Sequence, residues 1–228
     1  MAQACAKSSP HILIADDHAI FLEALKCFLE KKYVVTGTVT DGRSLVTEAI
    51  RLKPDIIILD IGMPLLNGLD AARRIRDQLP RIRLIFLTMQ ENAHLAAAAL
   101  EMGHTAFVLK HAAASELVTA IEQVWRGQPY ISPKLQPGAS VRHANLAIPS
   151  SKNLTPRQRD IVQLFAEGYG LKEIAGCLNL SLKTIEFHKR HIMTEFDLKS
   201  NADLVLLAVK KGLITINPDI RYADGKAT

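Results

Sequence analysis

Short apolar runs alternate along the first half of the chain with stretches whose apolar residues recur at helical spacing. His11 to Ala15 is the first run, and it ends in Asp16-Asp17; 18–32 then carries Ile20, Phe21, Ala24, Leu25, Phe28 and Leu29 at the spacing of an amphipathic helix. Tyr33 to Val39 reads as a strand, and Asp41-Gly42 turns the chain into a helix over 43–52. The run Ile56-Ile57-Ile58-Leu59 is continuous rather than alternating, as expected of a parallel strand buried on both faces, and it stops at Asp60 before Gly62 and Pro64 break the chain. Asn67-Gly68 opens a helix over 69–78. A strand over 82–87 closes on Thr88, a helix spans 91–102, a strand over 105–109 closes on Lys110, and a helix covers 112–126. Five strand–helix repeats predict a parallel sheet with helices on both faces.

In such a sheet the carboxyl ends of the strands share one edge, where ligands of open α/β sheets bind. That edge would carry Asp16, Asp17, Asp60, Thr88 and Lys110. One strand-end aspartate reads equally well as a helix cap, so the weight rests on the set. Carboxylates about 4 Å apart repel by roughly 4 kcal/mol at an effective dielectric near 20. A hard divalent cation relieves that repulsion, and all-oxygen ligation suits Mg²⁺. A carboxylate beside the ion can attack a phosphoryl group, with an ammonium and a hydroxyl balancing the charge on its oxygens. Asp60, on the strand expected at the centre, is the residue expected to be modified.

These residues, with Met63-Pro64 and Asn67-Gly68 after the third strand, resemble the receiver domain of two-component response regulators over roughly 9–126. The resemblance implies a flavodoxin-like (βα)5 domain with strand order 2-1-3-4-5. It implies Asp60 as phosphoacceptor, with Mg²⁺ held by Asp17 directly, by Asp16 through water, by Asp60 and by the backbone carbonyl of Gly62. Thr88 would bond a phosphoryl oxygen and Lys110 would pair with the phosphoryl charge. Phe107 matches the switch aromatic that turns inward as Thr88 moves. His111 stands where many receivers have proline, and Gly62 where Asn or Asp is frequent.

Residues 127–152 hold Pro129, Pro133, Pro137 and Pro149 among glycine and serine, a linker composition. Tyr130-Ile131-Ser132-Pro133 reads either as an extension of the last helix or as a segment packed on it. Over 153–214 the punctuation is that of a small all-α domain of four helices. Thr155, Pro156 and Gln158 mark one start, Ser181 caps a second, and Ser200 with Asp203 forms a capping box for a helix over 204–211. Two helices joined by the tight turn Asn179-Leu180-Ser181 make a helix-turn-helix. On the helix from Leu182, Ile185, Ile192 and Phe196 share one face, opposite Lys183, Phe187, Arg190 and Thr194. An outward face of this kind suits base edges and a thymine methyl, and pattern alone fits a solvated helix equally well.

Leu154-Thr155-Pro156-Arg157, Lys172-Glu173-Ile174-Ala175 and Lys183-Thr184-Ile185 with His188 and Leu198 closely resemble the LuxR-type helix-turn-helix. With the receiver, nearly the whole chain resembles a NarL/FixJ-type response regulator. The resemblance implies Glu186, Phe187 and Arg190 as base readers, and Lys172, Lys183, Thr184 and Lys189 on phosphates. Leu204 and Leu207 would be a dimer contact, or alternatively plain core. Gln158 replaces a usual Glu, and Tyr169-Gly170-Leu171 a more polar stretch. Residues 215–228 read as a tail.

Charge sharpens this division. Residues 1–126 hold 14 basic and 14 acidic side chains, whereas 151–214 hold 10 basic against 7 acidic, which makes the second part the better candidate for a polyanion partner. Cys5, Cys27 and Cys177 have no metal or disulfide spacing and read as reduced thiols. No apolar stretch reads as a signal core or a membrane span, so a cytoplasmic location is expected. The expected protein is a DNA-binding regulator, not an enzyme with turnover. A sensor histidine kinase phosphorylates Asp60 with Mg²⁺, and dimerisation or exposure of the helix-turn-helix on paired half-sites of double-stranded DNA follows. The alternative is a phosphorylation-independent DNA-binding regulator whose receiver only scaffolds a dimer. A Mg²⁺-dependent phosphotransferase is disfavoured because Gly62 stands where such enzymes place a second acid.

Overall fold

The computed structural model describes residues 9–89, 96, 99, 102–135 and 154–214, in two compact units divided between 151 and 152. In the first unit, β1 (His11–Ala15), β2 (Val34–Val39), β3 (Ile56–Asp60), β4 (Arg83–Thr88), β5 (Thr105–Leu109) and β6 (Tyr130–Ile131) form one sheet in the order β2-β1-β3-β4-β5-β6. Every pairing is parallel. The helices are α1 (Ala19–Leu29), α2 (Gly42–Leu52), α3 (Gly68–Gln78) and α4 (Ala113–Trp125). Of the helix expected over 91–102, Ala96 and Ala99 are described, both helical and buried.

The inner strands β1, β3, β4 and β5 are buried on both faces, successive residues pointing to opposite sides of the sheet into two apolar layers. Leu13, Ile57, Leu59, Leu84, Phe86, Phe107 and Leu109 enter one apolar cluster with Leu45 and Ala49 of α2 and Ala71, Ala72 and Ile75 of α3. Ile12, Ile14, Ile56, Ile58, Ile85, Leu87, Ala106 and Val108 enter the other with Leu22, Leu25 and Leu29 of α1 and Leu117, Ile121 and Val124 of α4. This explains why the runs are continuously apolar. Asp41 caps α2 and Asn67 caps α3, each accepting backbone N–H bonds of the first turn.

The expected order 2-1-3-4-5 is present, and one strand is added to it. Tyr130 and Ile131, inside the stretch with linker composition, pair with Ala106 and Phe107 as β6. A 3₁₀ turn over Pro133–Leu135 follows and buries Leu135 in the same cluster as Phe107. The remainder of the connector, residues 136–153, and the expected tail over 215–228 lie outside the described residues.

The second unit contains α5 (Pro156–Ala166), α6 (Leu171–Leu178), α7 (Leu182–Glu195) and α8 (Asn201–Lys210). The Thr155/Gln158 and Ser200/Asp203 capping boxes are both formed. Asn179 closes α6 in the left-handed conformation at φ 53°, which an asparagine tolerates and a tight helix–helix turn requires. Ile161, Leu164, Ile174, Leu178, Ile185, Ile192, Leu204 and Leu207 form the core.

Candidate functional site

Strand register assembles the acidic pocket. Ala15 pairs with Leu59, Asp60 with Leu87, and Thr88 with Leu109. Asp16 therefore lies level with Asp60, and Thr88 and Lys110 each follow the partner of the strand before. The Lys110 ammonium sits 2.8 Å from Asp16 Oδ2 and 2.8 Å from Asp60 Oδ2. Asp16 is fully buried, Asp60 and Lys110 nearly so, and Thr88 is 4% exposed. Asp17 lies at the mouth of the pocket. Two buried carboxylates against one buried ammonium is an unbalanced set. Burial pushes the Asp60 carboxyl above its usual range, and the neighbouring Asp16 adds to this, while Lys110 and the Gly62 backbone N–H oppose it. Burial alone would lower the Lys110 pKa, but the Asp60 and Asp16 carboxylates outweigh it and hold the ammonium charged.

The chain behind Asp60 is held tightly. Gly68 opens α3 against β3, and a Cβ built there would lie 2.1 Å from the Asp60 carbonyl oxygen; only glycine permits that approach. Gly68 donates its N–H to Ile61 at 2.9 Å, and Leu65 in the same loop takes a positive φ of 64°. A branched residue in that conformation costs about 1–2 kcal/mol and persists only where its surroundings enforce it.

The pocket fits a hard cation. One ligand atom each from Asp16, Asp17, Asp60 and His18 can be chosen so that all lie within 4.8 Å of one another. Three of the four are carboxylates, the donor type Mg²⁺ prefers. His18 went unremarked in the sequence. Its Nδ1 lies 2.9 Å from Asp17 Oδ1 and 3.2 Å from Asp16 Oδ1, and its place directly after two acids was the available signal. Phe21, which the spacing marks only as part of the apolar face of the first helix, also borders the pocket: its ring lies 5.2 Å from the Lys110 ammonium. Phe107 is already turned inward and fully buried, its ring centroid 6.4 Å from that of Phe86.

In the second unit Lys172, Lys183, Glu186, Phe187 and Arg190 all face solvent, with Phe187 at 62% exposure. Thr184 is half-buried and its hydroxyl shares a 2.8 Å hydrogen bond with Ser181, which caps α7. Lys189 is tied down, donating to Asn201 Oδ1 at 2.8 Å with its ammonium 4.6 Å from the Phe165 ring. Gln158 does more than cap α5. Its amide donates to Glu195 Oε2 at 3.2 Å, so the helix start is fastened to the end of α7. A glutamate there would face Glu195 as a like charge. At Tyr169-Gly170-Leu171, α6 lacks a side-chain cap, and the Gly170 N–H is satisfied by Glu173 reaching back at 2.7 Å. Leu204 is fully buried and Leu207 nearly so; of the two readings of this pair, core packing is the one their burial supports. The exposed large apolar residue of α8 is Leu206, at 53%.

A parallel sheet ending in this carboxylate–ammonium pocket, followed by a capped helix-turn-helix, defines a class: a receiver joined to a DNA-binding domain. The profile for the response regulator receiver domain matches residues 12–122, and that for bacterial regulatory proteins of the luxR family matches 152–208. The chain belongs to the NarL/FixJ-type two-component response regulators. It is 35% identical to the oxygen regulatory protein NreC of Staphylococcus haemolyticus over 213 residues, covering 89% of this chain and 98% of the relative. It is 36% identical to NreC of Staphylococcus aureus over 214 residues, with the same coverage. Among solved structures it resembles the response regulator RcsB of Salmonella typhimurium at TM-score 0.59 and 27% identity, covering 89% of this chain and 98% of that one. It also resembles RcsB of Salmonella enterica serovar Typhimurium bound to promoter rprA in the presence of phosphomimetic BeF3−, at TM-score 0.55, 27% identity, and 90% and 98% coverage. Among the described residues no helix is long and apolar enough to cross a membrane.

Proposed function

We propose that Asp60 accepts a phosphoryl group from the phosphohistidine of a sensor kinase in the cytoplasm, and that this event controls DNA binding by the second unit. The observation that carries the reading is the Lys110 ammonium held 2.8 Å from both Asp16 and Asp60 at the carboxyl edge of the sheet. An Asp60 oxygen forms the new O–P bond, the P–N bond of the donor breaks, and the imidazole leaves with the bonding pair and takes up a proton. Asp16, Asp17, Asp60 and the Gly62 carbonyl would hold Mg²⁺, which when bound offsets negative charge on the transferring group. Lys110 leaves its two carboxylates and pairs with the phosphoryl oxygens, and the Thr88 hydroxyl donates to another. Excluding bulk water from so buried a site strengthens each of these interactions. The signal leaves through Thr88 at the end of β4 and Phe107 in the middle of β5.

The output is recognition of paired half-sites on double-stranded DNA by a homodimer. Glu186, Phe187 and Arg190 project from α7 toward base edges, while Lys172, Lys183 and Thr184 contact phosphates. Lys189 would first have to leave Asn201. On α8, Leu206 is the residue with apolar surface to offer a second copy. The test uses the full-length chain with Mg²⁺ and beryllofluoride, and DNA selected from a random library. Treated protein should bind its selected sites at least tenfold more tightly, and Asp60→Asn should abolish the response. An unchanged response in the Asp60→Asn protein overturns the reading.

A further inference from the structure

The connector begins as part of the sheet, and its attachment point is the switch strand. Ser132 is fully buried although it stands among prolines in a linker-like sequence. Its N–H donates to the Phe107 carbonyl at 2.9 Å, continuing the β6 pairing of Ile131 with Phe107. Its hydroxyl accepts the Leu109 N–H at 3.0 Å and donates to Glu116 Oε2 on α4. Its carbonyl accepts the Leu135 N–H at 2.8 Å, closing the turn that buries Leu135 beside Phe107. The N–H and the hydroxyl of this one connector residue are therefore committed to β5 and to the start of α4, on either side of Lys110, and its carbonyl closes the connector's own turn.

We propose that Ser132 is the point at which the connector reads the phosphorylation site, locking residues 130–135 to β5 in the resting protein and releasing them when Lys110 is drawn to a phosphoryl group. This inference rests on the reading of Asp60 given above. Lys110 directly follows Leu109, whose N–H the Ser132 hydroxyl holds. A shift of the Lys110 backbone toward new charge moves that N–H, and a hydrogen bond weakens steeply as its angle closes. The Phe107 ring is already buried, so what changes visibly at β5 is its pairing with the connector. A two-residue parallel strand has little stability of its own, so loss of the Ser132 bonds undoes β6. Ser132 touches no phosphoryl oxygen; it is a positioning and coupling residue.

Amide hydrogen exchange of the full-length protein, resolved residue by residue, tests this. With Mg²⁺ and beryllofluoride, and ¹⁹F resonances showing the adduct bound, the Leu109 and Ser132 amides should exchange about tenfold faster while Ile58 in β3 is unchanged. Ser132→Ala should show the fast rate without beryllofluoride and a DNA affinity that no longer responds to it, with beryllofluoride still bound. Ser132→Thr, which keeps the hydroxyl, should restore the wild-type difference. Bound beryllofluoride with unchanged protection at Leu109 and Ser132 in the wild-type chain overturns the inference and leaves the Asp60 reading standing, whatever the folding of the variants. Failure of beryllofluoride to bind overturns both.

Discussion

Asp16, Asp60, Thr88 and Lys110 of the first unit are all less than a tenth exposed, whereas Lys183, Glu186, Phe187 and Arg190 of the second all face solvent. Burial forces the first group to declare its chemistry. A carboxylate out of water must be paired or change its protonation, so the Lys110 contacts and the raised Asp60 pKa are physical necessities that mark the site. The polar groups on the exposed face of α7 are under no such compulsion, since water satisfies each of them, and Phe187 alone stands out there as exposed apolar surface. A site that stores charge is thus visible in the free protein, and a site that reads a partner becomes visible mainly through the partner.

Substitutions should separate the buried pocket from the exposed helix face. The largest effect is expected at Asp60: Asp60→Asn should remove all response to phosphodonors, measured as loss of the phosphorylated band, with the fold intact. Lys110→Ala leaves two buried carboxylates uncompensated and should cost about 3 kcal/mol in denaturant unfolding, a loss that Mg²⁺ partly reverses. Gly68→Ala drives a methyl group against the Asp60 carbonyl and should cost about 2 kcal/mol by the same measurement. In the second unit Phe187→Ala should leave stability within about 0.5 kcal/mol yet weaken binding to selected DNA roughly tenfold; Lys183→Ala should instead weaken all sequences alike and lower the salt slope by about one. If Phe187→Ala destabilised the unit as much as Gly68→Ala, the contrast between buried and exposed sites would fail.

The smallest effect is one of pH. The folded-state pKa of Asp60 is raised, so its contribution to stability is present below the unfolded carboxylate range and lost as pH rises through the folded value. Above that folded value its charge is a burden, and there Asp60→Asn should melt higher than wild type, with the difference disappearing in acid. The raised Lys110 pKa works in the alkaline range, where its contribution persists up to the ordinary lysine value and is lost beyond it. Thermal melts across pH in the absence of Mg²⁺ check both signs.

Much of this was legible in the residues. Ile56 to Leu59 announced a strand buried on both faces, and the alternation of Ile and Leu into the two clusters is its consequence. The capping boxes at Thr155 and Ser200 are local chemistry within four residues, and both formed as read. His18 could have been found from its place beside Asp17. Ser132 could not, because a two-residue strand flanked by proline has no periodicity and its partners are Phe107, Leu109 and Glu116, far away in the chain.

Sequence alone determined the order of strands and helices, their caps, and which residue types meet at the sheet edge, because these depend on spacing and on backbone groups close along the chain. Only the tertiary structure decided that Lys110 bridges two acids, that Leu204 and Leu207 face inward while Leu206 faces out, and that the connector begins as a sixth strand. Those outcomes depend on which surfaces remain available after the apolar faces are buried, a quantity that no local stretch of residues contains.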